Sequence, residues 1–374
     1  MEAITLSREV LEWAAKKAGL TLESFAHEIS NRDVTRQRIA DGVMTPPQIE
    51  KLAKRARVPF GYLFLPNPPD LPKASIPDLR QTQDPLPLSE DFYEVLEDVS
   101  AKQTWYIDYL TERGARALEF VGKFKGTTLK SYNDVVDDMR KVLGITDLDR
   151  SRSPDPPAYF SRLSAKAEAS GVLVIKSSFV KSATRRGLSE REFRGFAISH
   201  PLAPLVFVNG KDAEVAAVFT LVHELAHIWL GVSGVSDVSP KNNSNIERIC
   251  NAIAGEILVP MADFEKRWEK QGEEVTALAK HYRVSRLVIA RRALDRGFVD
   301  QAFYERVLHA SKAVKRDGAP TALITIPIRN SKKFTHTIVA EAMSGQVMLR
   351  EAARLLNVKP DTVVALGKGR DSDG

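Results

Sequence analysis

A largely apolar stretch, Ala213–Leu230, carries His223-Glu224-Leu225-Ala226-His227, and no other feature of the 374-residue chain constrains its fold as tightly. Two histidines at i and i+4 project from one helix face, so both imidazoles can reach one tetrahedral zinc ion, with Glu224 beside the coordinated water. Zinc lowers that water's pKa toward neutrality, and a nearby carboxylate can take its proton as the water attacks a carbonyl. With His at 7 of 374 positions, a chance match is expected in only about one such chain in a hundred. The flanks Val218, Phe219, Leu221, Val222, Ile228, Trp229 and Leu230 predict a buried helix. Unpartnered histidines and a carboxylate would be costly there, so a zinc site accounts for them better than satisfied core histidines do.

A catalytic zinc takes three protein ligands and keeps an open position. The next helical stretch, Asn245–Leu258, offers Glu247, Cys250 and Glu256. Positions 247, 250/251, 254 and 258 share a face, whereas Glu256 falls half a turn out of phase. Glu247 is therefore the better third ligand. Cys250 lies one turn further along, open to a role as a soft ligand or thiol switch, although a lone buried cysteine is usually a small hydrophobe.

The rest of the chain reads as several helical segments around a small sheet. Residues 7–58 give short helices, Glu9–Ala18 ending at Gly19, Ser24–Ile29, Thr35–Ala40 and Pro47–Ala56, with the helix, turn, helix rhythm of a helix-turn-helix. Eight prolines between Pro59 and Pro87 then predict an extended connection over residues 66–88, followed by one long helix over 89–121. Beyond the break Ser151–Pro157, a helix (Tyr159–Ser170) and strand candidates Val172–Ile175, Gly195–Ser199 and Leu205–Asn209 give an α+β pattern, predominantly α.

Composition sets the outer limits. Apolar residues at 43% and charged residues at 27% suit a chain with a sizeable core. The single cysteine, the absence of a secretory apolar region near the start and the lack of any membrane-length apolar run predict a cytoplasmic protein with no membrane segment. The net charge of +6 is concentrated late: residues 263–374 carry 21 Lys+Arg against 14 Asp+Glu.

The segment Phe219–His227, followed by Glu247-Arg248-Ile249-Cys250-Asn251-Ala252-Ile253-Ala254-Gly255-Glu256-Ile257-Leu258-Val259-Pro260, resembles the ImmA/IrrE family of zinc metallopeptidases. That family's second motif runs E-x-x-A-N-x-F-A-x-E-L-L-M-P; Cys250, Ile253 and Val259 replace its Ala, Phe and Met and leave the ligand positions intact. The resemblance implies a zincin-like core in which His223, His227 and Glu247 hold zinc and Glu224 is the catalytic base. It also implies that Arg194–Ile198 and Pro204–Asn209 form the strand pair before the zinc helix, the later strand being the edge along which a peptide substrate adds. Thr45–Ala53, Val58–Leu65 and Ile76-Pro77-Asp78-Leu79-Arg80 resemble longer members that fuse an XRE-type helix-turn-helix to the peptidase.

The expected organisation is an XRE-like helix-turn-helix module at 1–65, a proline-rich connection and helical spacer at 66–150, and the metallopeptidase domain at 151–270. A helix-turn-helix-like segment at 271–310 and a basic helical C-terminal region with a tail at 311–374 complete it. Arg286, Arg291 and Arg292 in the fourth segment, and Arg36 and Arg38 in the first, are candidate contacts to double-stranded DNA. The expected function is a zinc-dependent endopeptidase acting on a partner protein such as a repressor or antitoxin. The alternative is a DNA-binding regulator or antitoxin component whose zinc is structural or sensory.

Overall fold

The structure, a computed structural model, describes residues 3–18, 20–56, 58–69, 76–79, 88–236, 244–271, 274–310 and 322–368. Gly19, most of the proline-rich connection and the end of the C-terminal tail lie outside these residues. The fold is predominantly α with small sheets, an α+β arrangement. Among the described residues no helix is long and apolar enough to cross a membrane. The chain forms two compact units, Met1–Lys73 and Ala74–Gly374.

In the first unit a two-stranded antiparallel ladder, β1 (Ile4–Thr5) with β2 (Val43–Met44), accompanies helices α1 (Arg8–Lys17), α2 (Leu22–Ile29), α3 (Asp33–Ala40) and α4 (Pro46–Ala56). The Thr21 side chain accepts from the Ser24 N–H and starts α2, as its N-cap preference predicts. Val10, Leu11, Phe25, Ile39, Ile49 and Leu52 are fully or almost fully buried in the unit's own core. Leu63, in a 3₁₀ turn over Phe60–Phe64, joins them, while Phe60 and Phe64 stay exposed.

The second unit begins with α5 (Glu90–Glu112), α6 (Tyr132–Leu143), α7 (Asp147–Ser151) and α8 (Pro156–Ala169). The helix expected over 89–121 stops at Glu112, because Gly114 adopts a left-handed conformation two residues on. Strands β3 (Leu173–Ser177), β4 (Gly195–Ile198) and β5 (Leu205–Asn209) lead into α9 (Glu214–Leu230), followed by β6 (Gly234–Ser236) and α10 (Asn245–Leu258). Helices α11 (Met261–Gln271), α12 (Val275–Tyr282), α13 (Arg286–Asp295), α14 (Gln301–Ala310), α15 (Ala322–Arg329), α16 (Lys332–Met343), α17 (Leu349–Leu355) and α18 (Pro360–Lys368) complete it.

The sheet order is β3-β5-β4-β6, with β3 parallel to β5 and the other neighbours antiparallel. This corrects the expectation that β5 is an edge: β5 lies between β3 and β4. The reason is visible in its side chains. A strand buried on both faces needs an apolar run rather than an alternation, and Leu205-Val206-Phe207-Val208 is such a run.

Successive residues of the strands serve opposite faces. Val174, Ala197, Val206 and Val208 join the core beneath α9 with α6, α8 and α10, while Leu173, Ile175, Phe196, Leu205 and Phe207 join a second core with α5 and α16–α18. The C-terminal helices therefore close one face of the sheet, with Phe334, Ile338, Leu355 and Leu356 buried. Trp229 pins α9 to α6 by stacking on Phe120 at 4.3 Å and donating to Asp138 Oδ2 at 2.9 Å.

Phe207 is 1% exposed and stacks on Phe196 with ring centroids 4.9 Å apart. Phe207→Ala should cost about 3–5 kcal/mol of stability, read as a lower chemical-denaturation midpoint of the second unit.

Candidate metal centre

Helix α9 is apolar on all sides because it is enclosed: Val218, Leu221, Val222, Leu225, Ala226, Ile228 and Trp229 are all buried. His223, Glu224 and His227 sit among them at 0% exposure, as does Glu247 from α10. Four ionisable side chains thus meet in a largely apolar surrounding.

Their atoms converge. The two Nε2 atoms are 3.1 Å apart, and the Glu247 carboxylate spans them, Oε2 at 3.1 Å from His223 Nε2 and Oε1 at 3.1 Å from His227 Nε2. Neither Glu247 oxygen receives a well-directed hydrogen bond. Burial alone would raise the Glu247 pKa, but the charge of His223 and the contacts with both imidazoles hold it down to about 2. Burial pushes His227 below its ordinary value, toward the neutral form that can ligate. With the imidazoles neutral and Glu247 ionised, nitrogen and oxygen lone pairs packed this closely fit a divalent cation.

Glu224 is placed differently. Its Oε2 accepts from the Ser236 hydroxyl at 3.2 Å, and its Oε1 is buried without a hydrogen-bond partner. Burial, then the neighbouring Glu247 carboxylate, push its pKa well above the ordinary range, with the Ser236 bond acting against them. A carboxyl poised in this way can hold a proton that an ordinary glutamate would release. Ser236 Oγ also lies 3.1 Å from His227 Nε2. The backbone of β4 presses on the same group: a Cβ on Gly195 would fall 2.8 Å from Glu224 Oε1 and 2.9 Å from the Phe207 carbonyl. Ser236 and Gly195 were not legible as site residues. The one available signal was a glycine inside a strand, which marks close approach of something to the backbone.

Cys250 is fully buried, and its Sγ and one ring nitrogen each from His223 and His227 lie within 4.8 Å of one another. Burial first, then Glu247 and Glu224, push its thiol well above the usual range. Glu256, out of phase on the helix, faces away from the histidines: it accepts from the Met261 N–H and pairs with Arg292.

That pairing changes the expectation for Arg292. Its side chain is 6% exposed and also donates to the Val259 carbonyl at 2.8 Å, so it ties α13 to the end of α10 and is buried rather than offered at the surface to a phosphate. Arg286 and Arg291 are exposed, the first donating to the Ala310 carbonyl and the second pairing with Asp295 at 2.9 Å. In the first unit Arg36 pairs with Asp33 and donates to His27, and Arg38 is exposed. Tyr282 is fully buried, its hydroxyl donating to Asp263 at 2.8 Å.

Residues 167–294, from the end of α8 to the end of α13, match the family model of the IrrE N-terminal-like domain, Peptidase_M78. Residues 330–369, covering α16–α18, match a domain of unknown function, DUF8813. No curated protein and no solved structure matches the chain. The first match supports the ImmA/IrrE family and a peptidase for the segment that contains the polar cluster.

If the cluster holds a cation, protons compete with it for the imidazoles. Bound metal should be retained at pH 7 and lost only as pH falls below the ordinary imidazole range, because burial holds His227 below its ordinary value and Glu247 stays ionised down to about 2. Metal content after dialysis across this range checks the expectation. His223→Ala should lower affinity by at least about tenfold at pH 7, by analogy with lost supporting groups at metal sites.

Proposed function

We propose that the chain is a zinc-dependent endopeptidase acting on a partner protein of the repressor or antitoxin kind. The observation that carries this reading is the convergence of His223, His227 and Glu247 in a fully buried cluster with Glu224 beside them. The three residues would hold the metal, and the two-histidine, one-glutamate set leaves a fourth position open, as catalytic zinc sites do. When bound, zinc supplies Lewis-acid polarisation of the scissile carbonyl and lowers the pKa of water.

The protein's own groups do the rest. The Ser236 hydroxyl fixes Glu224 through Oε2, which leaves Oε1 to take a proton from the attacking water and return it to the departing amine nitrogen. A carboxylate held in this buried cluster by the Ser236 hydroxyl is a group of the kind that accepts and returns a proton in general acid–base catalysis. The apolar walls of α9 and the sheet exclude bulk water around it.

The region at 1–65 is proposed as an XRE-like helix-turn-helix module that docks DNA or protein, joined by the proline-rich connection and spacer of 66–150 to the metallopeptidase region of 151–270. The segments 271–310 and 311–374 remain proposed helical regions, with Arg286, Arg291, Arg36 and Arg38 as candidate phosphate contacts. A cytoplasmic location is part of the same reading.

One observation favours a second reading. Cys250 beside the two histidines offers a fourth protein ligand, and a site closed by Glu247 and Cys250 together would be structural or sensory in a DNA-binding regulator. Such a protein would bind operator DNA with a steep salt dependence that Glu224→Gln leaves unchanged.

Glu224→Gln separates the two. It should retain the full complement of metal and reduce cleavage of a co-expressed partner protein by at least about 100-fold, read by intact mass of that partner. Undiminished cleavage would remove Glu224 from the role of base.

A further inference from the structure

Strand β6 is the outermost strand on its side of the sheet, and its last residue, Ser236, is the one that contacts Glu224 and His227. The outer side of β6 carries a short segment from far earlier in the chain. The Val235 N–H donates to the Pro77 carbonyl at 2.9 Å and the Leu79 N–H donates to the Val235 carbonyl at 3.0 Å, so that Asp78 and Val235 form a parallel bridge. Ile76 packs against the core that contains Val235 and Phe196.

The edge is shaped for this neighbour. A Cβ on Gly234 would stand 2.4 Å from Leu79 Cδ1 and 3.1 Å from the Pro77 carbonyl oxygen, so a larger residue there would displace the Leu79 side chain and press on the Pro77 carbonyl. The pairing is also short. Pro77 has no N–H to offer, so the ladder cannot gain a donor at that residue.

We propose that the outer edge of β6 is a strand-addition site for an extended segment of the protein substrate, and that Ile76–Leu79 holds it as an intramolecular competitor. This rests on the peptidase reading for the nature of the incoming chain, though not for the pairing itself. An added strand is held mainly by main-chain hydrogen bonds, and so tolerates different sequences, while side chains on alternate residues select among them. The residue at the Leu79 position would be the selecting one, because it lies over Gly234. A tethered segment acts at an effective concentration of order millimolar, enough to exclude a free peptide present at micromolar levels. Release of Ile76–Leu79 opens the edge one residue from the Ser236 contact to Glu224.

The test uses the full chain carrying Glu224→Gln, metal-loaded, and a fluorescent peptide of residues 74–82 read by anisotropy. Leu79→Pro removes both the amide donor and the side chain over Gly234. It should bind the peptide at least about tenfold more tightly than the parent, and adding Gly234→Val should abolish that gain. Equal affinity in parent and Leu79→Pro, or no binding by a Leu79→Pro chain with an unchanged circular dichroism spectrum, would overturn the proposal. Amide exchange of the parent needs no variant at the edge: Leu79 should exchange at least about tenfold faster than Phe207 in β5, and equal protection would make residues 76–79 a permanent strand. Because binding is read without cleavage, failure of the unsubstituted chain to cut any partner would count against the peptidase reading alone.

Discussion

The crossing of α9 and α10 is the contact on which the rest of the structure depends. It places two imidazoles and two carboxyls at 0% exposure inside a core of aliphatic and aromatic side chains. Burial of an ion without compensation costs several kcal/mol, so the arrangement persists only if the groups satisfy one another or a cation. Glu247 between the two Nε2 atoms is the compensation that the chain itself provides.

Everything around that crossing serves to hold it. Val206 and Val208 of β5 support α9 from the sheet, Trp229 ties its far end to α6, and Arg292 fixes the end of α10 through Glu256 and the Val259 carbonyl. The other face of the sheet is covered by α5 and α16–α18, which explains why its strands carry almost no polar side chains. Gly195 and Gly234 do the opposite work: they keep side chains away where Glu224 and Leu79 approach the backbone.

The candidate metal cluster was legible because helical spacing is a local property. His223 and His227 share a face by four-residue separation, and Glu247 follows from the phase of its own helix. The IrrE N-terminal-like match over residues 167–294 falls on these same motifs. What failed to show was set by the tertiary arrangement. The apolar run of β5 fits an interior strand, and its place between β3 and β4 depends on pairings that no local pattern carries. Arg292 reads as a surface charge in an arginine-rich stretch until Glu256, 36 positions away, is found beside it. Ser236 is an ordinary serine in the sequence and becomes a neighbour of Glu224 only through the fold.

The central claim is that two histidines and one glutamate hold a metal and leave a position open. Zinc K-edge X-ray absorption of the loaded full-length protein tests it most directly. The expected spectrum shows two imidazoles and oxygen scatterers at about 2.0–2.2 Å, with no sulfur at about 2.3 Å. A sulfur shell would place Cys250 in the coordination sphere and close the site, contradicting the catalytic arrangement; loss of the imidazole signature would contradict the site itself.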